Sequence, residues 1–387
     1  MSARLSQAGA QYVERQAQQR LLKADTSSGG DESGMKLHSM NLAPTTAVNF
    51  ASATGPHVRI PYALRRVPPD RLASVGSCPA NPQPGDIVLA CVERIGKNTR
   101  LELSNGRAST LHERDLLLAV FGNRYATEQF EGYARADGDC CDLLSMGGVC
   151  GKVASRHASV PEPTRLRIVG SVVDRVGVPL RLRDFALPRA VRASRPRVTV
   201  VCGTAMDAGK TYTAMSLIKG LVKRERRVAG IKLTGTATGR DTWSFYDAGA
   251  RPALDFVDGG IPSTYMCDET VLLNLYDLLL GHAAASGAAE VVLEIADGLF
   301  QRETAILLRT AAFMATVDRL VFAASDPLGA AAGIDRLRDW GIEPAAVSGL
   351  ISMSPLAMEE AATATGVCCL TAADLQGTNS EVGLATL

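Results

Sequence analysis

The sequence predicts an α/β fold, namely a mostly parallel sheet with helices on both faces, preceded by a small mainly-β domain. Residues 198–387 alternate short apolar runs with helical stretches, and this alternation indicates a parallel sheet covered by helices. Residues 56–188 contain short, closely spaced strands with Pro-Gly and Asn-Gly turns, which is typical of a small barrel or sandwich. A chain of 387 residues is long enough for two such domains.

The composition argues against several classes of partner. The chain has 41 basic and 40 acidic side chains, so its net charge gives no case for binding nucleic acid or an anionic membrane. No apolar run approaches the roughly 18 residues of a membrane span, and the N-terminus is polar rather than signal-like, so we expect a cytoplasmic protein. The nine cysteines form no C-x-x-C pair, which predicts a buried, reduced set rather than a disulfide framework.

Two stretches predict no packed structure of their own. In residues 1–55 a Gln- and Arg-rich stretch, ERQAQQRLLK, is followed by TSSGGDESG, after which apolar periodicity is lost. This pattern indicates a flexible N-terminal segment. Residues 189–197 carry proline and arginine without an apolar period, so they predict a linker between the two domains.

The β-rich region begins with a Pro-Gly turn and a strand in residues 84–95. The next stretch, GKNTRLEL, is expected to return alongside that strand, and Asn105-Gly106 supplies a second hairpin turn. Residues 165–188 close the region with two expected apolar strands and a turn at Gly177. Strands so closely spaced fit either a barrel or a sandwich.

The role of the β-rich domain is open at this point. Asn123, Arg124 and Tyr125 are candidates for a substrate or partner surface. Aromatic side chains on a small barrel can also stack on single-stranded nucleic acid, but the aromatic count is low and acids are interleaved with the basic residues, which makes nucleic acid unlikely. The pattern favours a module that caps or docks on the C-terminal domain.

A phosphate-binding loop is indicated where the C-terminal domain begins. Val198 to Val201 reads as a buried strand, a glycine-containing turn follows, and Lys210-Thr211 open a helical stretch. Backbone N–H groups of such a loop and the helix N-terminus cradle phosphates. Lys210 would reach the terminal phosphates, and the Thr211 hydroxyl would bind Mg²⁺. The expected nucleotide-binding residues are Gly203, Thr204, Ala205, Met206, Asp207, Ala208, Gly209, Lys210, Thr211 and Tyr212.

The spacing of this loop is unusual. Five residues instead of four separate Gly203 from Gly209, giving the pattern G-T-x-x-D-x-G-K-T. This pattern resembles the P-loop of dethiobiotin synthetase, in the MinD-like (SIMIBI) group of P-loop NTPases, and the resemblance is confined to the C-terminal half. It implies ATP and Mg²⁺ as cofactors and a catalytic role for Lys210, while Asp207 would orient either the metal or an acceptor. The second lysine of MinD proper is missing, since Ala205 holds its position.

Two further candidates follow the second predicted strand. Lys232 ends that strand, and dethiobiotin synthetase-like proteins also carry a lysine at this position. The resemblance implies that Lys232 is a second, catalytic cation directed at phosphate. The alternative is a solvated surface lysine. Asp241 lies in a phrase that resembles the GKDS-type segment of the molybdopterin-guanine dinucleotide protein B family. It would hold Mg²⁺ through water, or else cap a helix starting at Thr242.

An acidic residue also ends the hydrophobic strand EVVLE, which is the Walker-B arrangement for holding Mg²⁺. Dethiobiotin synthetase-like chains read E-G-A-G-G here, and Glu294, Ala296 and Gly298 match that pattern. Either Glu294 or Asp297 would bind the metal, and the register favours Glu294.

Base recognition is less specific. The chain lacks an N-K-x-D segment for guanine after the sixth strand, so ATP is favoured over GTP. Residues 352–355 and 371–374 occupy the places where this fold usually holds a purine, without the asparagine of dethiobiotin synthetase-like proteins.

The resemblance implies a Mg-dependent, ATP-using ligase or kinase that activates a small carboxylate, carbamate or amine by phosphoryl transfer in biosynthesis. Its partners would be the nucleotide and a small-molecule acceptor, with no membrane and, as a further expectation, a homodimer. The alternative is a nucleotide-hydrolysing adapter or regulatory ATPase of the molybdopterin protein B or MinD-like type, which acts on a protein partner.

Overall fold

The computed structural model describes residues 58–72, 74–190 and 195–377. The expected flexible segment, residues 1–55, lies outside the described residues, as do positions 191–194 of the expected linker. The fold class is confirmed. It is α/β, with a parallel sheet covered by helices and a mainly-β N-terminal part.

The N-terminal part forms a closed barrel. Its strands are β1 (Ser74–Val75), β2 (Ile87–Arg94), β3 (Arg100–Glu102), β4 (Ala108–Thr110), β5 (Leu116–Phe121), β6 (Phe130–Tyr133), β7 (Cys140–Leu143), β8 (Val149–Arg156) and β9 (Thr164–Val173). Pairing runs from β9 to β2, β5, β8, β7 and back to β9, and only β5 and β8 are parallel within this ring. Alternate side chains such as Ala90, Leu117 and Leu166 fill the interior.

Two local expectations for this region are wrong. The stretch GKNTRLEL does not return along β2, because β5 and β9 already occupy both edges of that strand; β3 pairs instead with β4 around Asn105-Gly106. The turn at Gly177 is present, with a φ of 85°. The second strand expected after it is absent from these described residues, where Pro179 and Arg181 form single bridges and Leu182–Phe185 forms a 3₁₀ turn.

The C-terminal part is a six-stranded sheet flanked by helices. The strands are β10 (Arg197–Gly203), β11 (Val228–Lys232), β12 (Ala253–Asp255), β13 (Glu290–Glu294), β14 (Arg319–Ala323) and β15 (Ala346–Ser348). They lie in the order β12-β11-β13-β10-β14-β15, and every pair is parallel. The stretch GVCCL, expected as a last strand, makes a single bridge in the described residues, from Cys369 to Val347 of β15.

The helices are α1 (Lys210–Lys223), α2 (Arg240–Ala248), α3 (Glu269–Ala285), α4 (Arg302–Arg309), α5 (Ala311–Met314), α6 (Pro327–Asp339), α7 (Pro355–Thr365) and α8 (Ala372–Gln376). Further 3₁₀ turns span Tyr62–Leu64, Pro69–Arg71 and Leu350–Met353. Side chains alternate across β10: Val200 and Cys202 pack in one core with α3, α4 and α6, while Val201 packs in another with α1 and α2. The sheet is therefore covered on both faces. In the described residues, helices long and apolar enough for a membrane crossing are absent.

The barrel and the parallel sheet share one hydrophobic core. Outward-facing barrel side chains, among them Leu89 and Val120, belong to the same cluster as side chains of α3 and of the parallel sheet. A buried polar network joins the two parts as well. Asp255, at the end of β12, accepts hydrogen bonds from the Tyr62 hydroxyl at 2.7 Å and from Arg65 at 2.8 Å. Because these groups are shielded from water, each depends on the others for its hydrogen bonds.

We expect Arg65→Ala to lower the free energy of unfolding by about 3–5 kcal/mol, because it leaves the buried carboxylates of Asp255 and Asp258 without their shared cation. Urea denaturation at pH 7 measures this change. The control is Arg338→Ala, which breaks only the exposed pair with Glu343 and is expected to cause no measurable change. Equal effects of the two variants would contradict the structural role of the network.

Candidate active site

The loop between β10 and α1 has the backbone of a phosphate cradle. Gly203 ends the strand, Lys210 begins the helix, and the left-handed backbone at Asp207 (φ 59°) and Gly209 (φ 90°) turns the chain between them. Within the described part of the chain, the N–H groups of Met206, Asp207 and Gly209 form no hydrogen bond. A loop that presents free N–H groups next to a helix N-terminus is suited to an anion.

Lys210 lies across this loop. Its side chain is buried, and Nζ donates a hydrogen bond to the carbonyl of Ala205 at 2.6 Å. Burial lowers the pKa of Lys210, and the nearby charge of Lys232 lowers it further. The folded protein therefore holds two ammonium groups near one another, an arrangement that favours a multiply charged anion between them.

Lys232 is bound by two carboxylates. The strands β11 and β13 pair so that Lys232 lies opposite Glu294, each at the carboxyl end of its strand. Lys232 Nζ is 2.5 Å from Glu294 Oε1 and 2.7 Å from Asp241 Oδ2. Lys232 and Glu294 are only 9% and 1% exposed, so Lys232 is a buried cation and not a solvated surface lysine.

The Thr211 hydroxyl completes this cluster. It lies 3.1 Å from Asp241 Oδ1 and 3.1 Å from Glu294 Oε1. The second oxygen of Glu294 is buried and has no hydrogen-bond partner. Hydroxyl and carboxylate oxygens are the donors that Mg²⁺ prefers, and the unpartnered Glu294 oxygen leaves one donor available, so these residues fit the metal.

The protein alone would supply few ligands to such an ion. In the described ranges, clusters of three or more His, Cys, Asp or Glu arranged for a metal are absent. Mg²⁺ usually takes one or two carboxylates and completes its shell with water and substrate phosphates. The three oxygen-bearing side chains here match that pattern.

Burial raises the pKa of both carboxylates, and the charge of Lys232 lowers it. Burial raises the pKa of Glu294, and the negative charge of Asp241 adds to this rise while Lys232 opposes it. For Asp241 burial acts in the same direction, but the charge of Lys232 and the hydrogen bonds from Lys232 and Thr211 outweigh it and lower the pKa. The two carboxylates can therefore be ionised together only when Lys232 is charged.

Asp241 does not cap its helix. The helix begins at Arg240, with Gly239 as the cap residue, and Asp241 lies within the first turn. Its side chain turns to Lys232 and Thr211 instead, so the alternative of a cap before Thr242 is wrong.

Asp297 lies beside the cluster rather than in it. Burial raises its pKa, and the charges of Lys210, Lys232 and Arg124 oppose that rise. The following residue packs directly on the phosphate-binding loop, since a Cβ on Gly298 would lie 2.1 Å from the carbonyl oxygen of Thr204. Only glycine allows this close approach.

The barrel contributes to the same neighbourhood. Asn123 donates a hydrogen bond to the carbonyl of Tyr265 at 3.2 Å, and the Tyr125 ring lies 5.4 Å from the Tyr265 ring. Burial lowers the pKa of Arg124 to about 10, although the charge of Asp297 opposes this. The three barrel residues proposed from sequence as a surface therefore lie at the junction with the C-terminal part.

The two segments expected near the base differ in surroundings. The segment 352–355 follows directly on a contact with the phosphate-binding loop, in which Leu350 donates its N–H to the carbonyl of Ala208 at 3.1 Å, and its Ser354 side chain caps α7. Thr371 and Asp374 cap α8 through reciprocal hydrogen bonds, and no contact with the loop is described for this segment. The second segment is thus engaged in its own helix.

Sequence reasoning missed one buried carboxylate beside the cluster. Glu102 of β3 accepts hydrogen bonds from the Gly239 N–H at 2.8 Å, the Thr238 hydroxyl at 3.1 Å and the Trp243 indole at 3.1 Å. No motif marks Glu102. The structure shows why an outside acceptor is needed there, because the cap position of α2 is Gly239, which has no side chain with which to cap.

No family model matches the chain, and no curated protein matches it. Among solved structures, the chain is similar to the Signal Recognition Particle 54 kDa protein from Aeropyrum pernix in complex with GDP, with 18% identity and a TM-score of 0.33. It is also similar to the cell division protein FtsY from Thermotoga maritima, with 14% identity and a TM-score of 0.31. The kinase domain of the Escherichia coli tyrosine kinase ETK shows 15% identity and a TM-score of 0.28.

These similarities are partial. They span 48%, 49% and 40% of this chain, and 43%, 65% and 68% of the respective structures. At such values, the function has to be argued from the residues of the site.

The buried ammonium of Lys210 leads to a prediction about stability. Because burial lowers its folded-state pKa below the usual 10.5, the folded protein holds the charged form less well than the unfolded chain does. We expect Lys210→Met to raise the melting temperature of the nucleotide-free protein at pH 7. The gain should vanish as the pH rises through the lowered pKa to above 10.5, where both states carry a neutral lysine.

Differential scanning fluorimetry across that pH range measures the effect. The matched control is Lys219→Met, an exposed position of the same helix, which should leave the melting temperature unchanged. A lower melting temperature for Lys210→Met at pH 7 would show that the ammonium stabilises the empty site.

Proposed function

We propose that the chain is a Mg-dependent enzyme that uses ATP to activate a small carboxylate, carbamate or amine by phosphoryl transfer, as in the dethiobiotin synthetase-like group. The observation that carries this proposal is the cluster of the buried Lys232 and Glu294 with the part-buried Asp241 and Thr211, beside the free N–H groups of the loop. A site for binding a nucleotide alone does not need a second buried lysine held by two carboxylates.

Each side chain has a distinct task in this proposal. The N–H groups of Met206, Asp207 and Gly209 hold the phosphates, and Lys210 and Lys232 stabilise the charge that develops on the transferred phosphoryl group. Thr211, Glu294 and Asp241 would hold Mg²⁺, which when bound neutralises phosphate charge and fixes its orientation. Catalysis then consists mostly of positioning and charge neutralisation.

The acceptor would bind at the junction between the barrel and the loop. The charges of Lys210 and Lys232 and that of Arg124 from the barrel all act on the pKa of Asp297, so the phosphate-binding groups and the barrel share one neighbourhood. Asp207 is an exposed residue of the loop itself and would be accessible to an acceptor. This placement gives the barrel a part in acceptor choice.

A second candidate function is a nucleotide-hydrolysing adapter that acts on a protein partner. Large apolar side chains are exposed in the segments that follow β13, β14 and β15, on the same edge of the sheet as the loop: Phe300 (84%), Leu328 (79%), Met353 (81%) and Leu356 (73%). Exposed apolar side chains on one edge are a feature of protein-binding surfaces.

A panel assay separates the two functions. ADP and GDP release are measured with ATP or GTP, with and without small carboxylic acids, amines, and amines plus bicarbonate. We expect at least one acceptor to raise ADP release by roughly tenfold or more, with a phosphorylated or condensed product, because a positioned acceptor replaces water. Lys210→Ala is the control and should abolish nucleotide binding. Slow turnover that no acceptor stimulates, and that rises only with a protein partner, would overturn the enzyme proposal.

We also expect Glu294→Gln to increase the Mg²⁺ concentration needed for half-maximal ATP binding by at least roughly tenfold, the loss typical of even an outer-shell partner of a metal. ATP affinity in EDTA should stay unchanged. Calorimetric titration at several Mg²⁺ concentrations measures both. Glu290→Gln, at the opposite end of the same strand, is the matched control and should behave like wild type. An unchanged Mg²⁺ requirement for Glu294→Gln would remove this residue from the metal site.

A further inference from the structure

Glu102 belongs to the barrel region, but its carboxylate is used entirely by the C-terminal part. Oε2 accepts hydrogen bonds from the Gly239 N–H and the Thr238 hydroxyl, and Oε1 accepts one from the Trp243 indole. Glu102 is 7% exposed, so these contacts are made out of water. Three donors within six consecutive residues converge on one carboxylate, which identifies a built contact between the two parts of the chain.

These donors surround the start of α2. The first N–H groups of a helix lack partners within the helix, and a side chain at the cap position usually accepts from them. Gly239 cannot do so, and Glu102 supplies the acceptor from another part of the chain. Its negative charge at a helix N-terminus is favourable as well.

The same first turn carries Asp241. One residue separates Asp241 from Gly239, so the backbone that Glu102 holds also fixes where the Asp241 carboxylate meets Lys232 and Thr211. The start of α2 is therefore anchored on one side by the barrel and on the other by the candidate metal cluster.

The barrel also holds the segment that connects Lys232 to this helix. The Ser145 hydroxyl donates a hydrogen bond to the carbonyl of Ala237 at 3.0 Å. Gly147 packs against the same carbonyl, since a Cβ there would lie 2.1 Å from its oxygen. The segment between Lys232 and Asp241 thus has little freedom to move without the barrel.

We propose that Glu102 is a positioning residue for the nucleotide site, acting through Asp241 so that the affinity for a Mg-nucleotide depends on the barrel. This inference rests on the proposed function, because it presupposes that Asp241 and Glu294 serve a Mg-nucleotide. It adds that the barrel builds part of the metal site, beyond any contact with an acceptor.

The ionised carboxylate of Glu102 matters because both of its oxygens can accept hydrogen bonds, and three donors surround them. Glutamine has the same length but only one oxygen, and its amide nitrogen would face either the Gly239 N–H or the Trp243 indole, which are donors themselves. In either orientation Glu102→Gln breaks at least one of the hydrogen bonds that hold the first turn of α2, while leaving the core around it intact.

The test is a double-mutant cycle on ADP binding. The affinity for ADP is measured by calorimetry in excess Mg²⁺ and in EDTA for wild type, Glu102→Gln, Asp241→Asn and the double variant. We expect Glu102→Gln to weaken Mg–ADP binding roughly tenfold, as outer-shell partners of a metal site do, and to change binding in EDTA less than about twofold. The double variant should be no weaker than Asp241→Asn, because both act through one group.

The outcomes separate the inference from the proposed function. Equal losses in Mg²⁺ and EDTA, or losses that add in the double variant, would show a merely structural role and overturn the inference. Wild-type affinity for Glu102→Gln in both conditions would also overturn it. Wild-type protein that binds no ADP in either condition would overturn the proposed function itself.

Two further variants guard the interpretation. Glu131→Gln changes another barrel carboxylate that reaches the C-terminal part, by a hydrogen bond from Tyr265 at 3.4 Å, and it should bind Mg–ADP like wild type. If circular dichroism shows that Glu102→Gln does not fold, Glu102→Asp is measured in its place. This variant keeps the negative charge but places it farther from the three donors. It should show the same Mg-specific loss, and wild-type Mg–ADP affinity for Glu102→Asp would then overturn the inference.

Discussion

The shared ammonium of Lys232 is the constraint on which the rest of the site depends. The buried Glu294 and the part-buried Asp241 both rely on a cation to keep their charge, and the buried Lys232 relies on them. The side chains of Lys232, Glu294 and Asp241 must therefore lie together in the folded chain. That requirement fixes β11 beside β13 in register, and it fixes the start of α2 above their carboxyl ends.

This constraint extends to the barrel. The chain between Lys232 and Asp241 is short, and the barrel covers it through Ser145 and Glu102. The helix that follows is held at Thr242, whose hydroxyl donates to the buried carboxylate of Asp255, the same group that accepts from the barrel. The two parts of the chain are thus folded around one polar framework, and the charges of the site are held in place from both sides.

The sequence predicted those features that depend on local chemistry. The loop from Gly203 to Thr211 is marked by its own spacing, and the positions of Lys232 and Glu294 follow from where apolar runs end, because parallel strands bring their carboxyl ends together. Long-range contacts leave no such mark. Glu102 looks like any acid on a hairpin, and its role exists only because the fold brings it to α2. The alternative of a helix cap at Asp241 is wrong for the same reason, since Lys232 and Thr211 engage its carboxylate.

The arrangement also explains why two lysines are present. Glu294 Oε1 lies within hydrogen-bond distance of both Lys232 and Thr211, so one oxygen serves the lysine and the proposed metal ligand set. In the proposed function Thr211, Glu294 and Asp241 would hold Mg²⁺, so the carboxylates that pair with Lys232 would be shared with the metal, and Lys232 would have donor capacity left for phosphate oxygens. Lys210 does not share these partners, because its Nζ donates a hydrogen bond to the carbonyl of Ala205 within the loop. In the proposed function Lys210 would therefore bind phosphate from within the loop, while the charge of Lys232 would be tied to the residues that hold the metal.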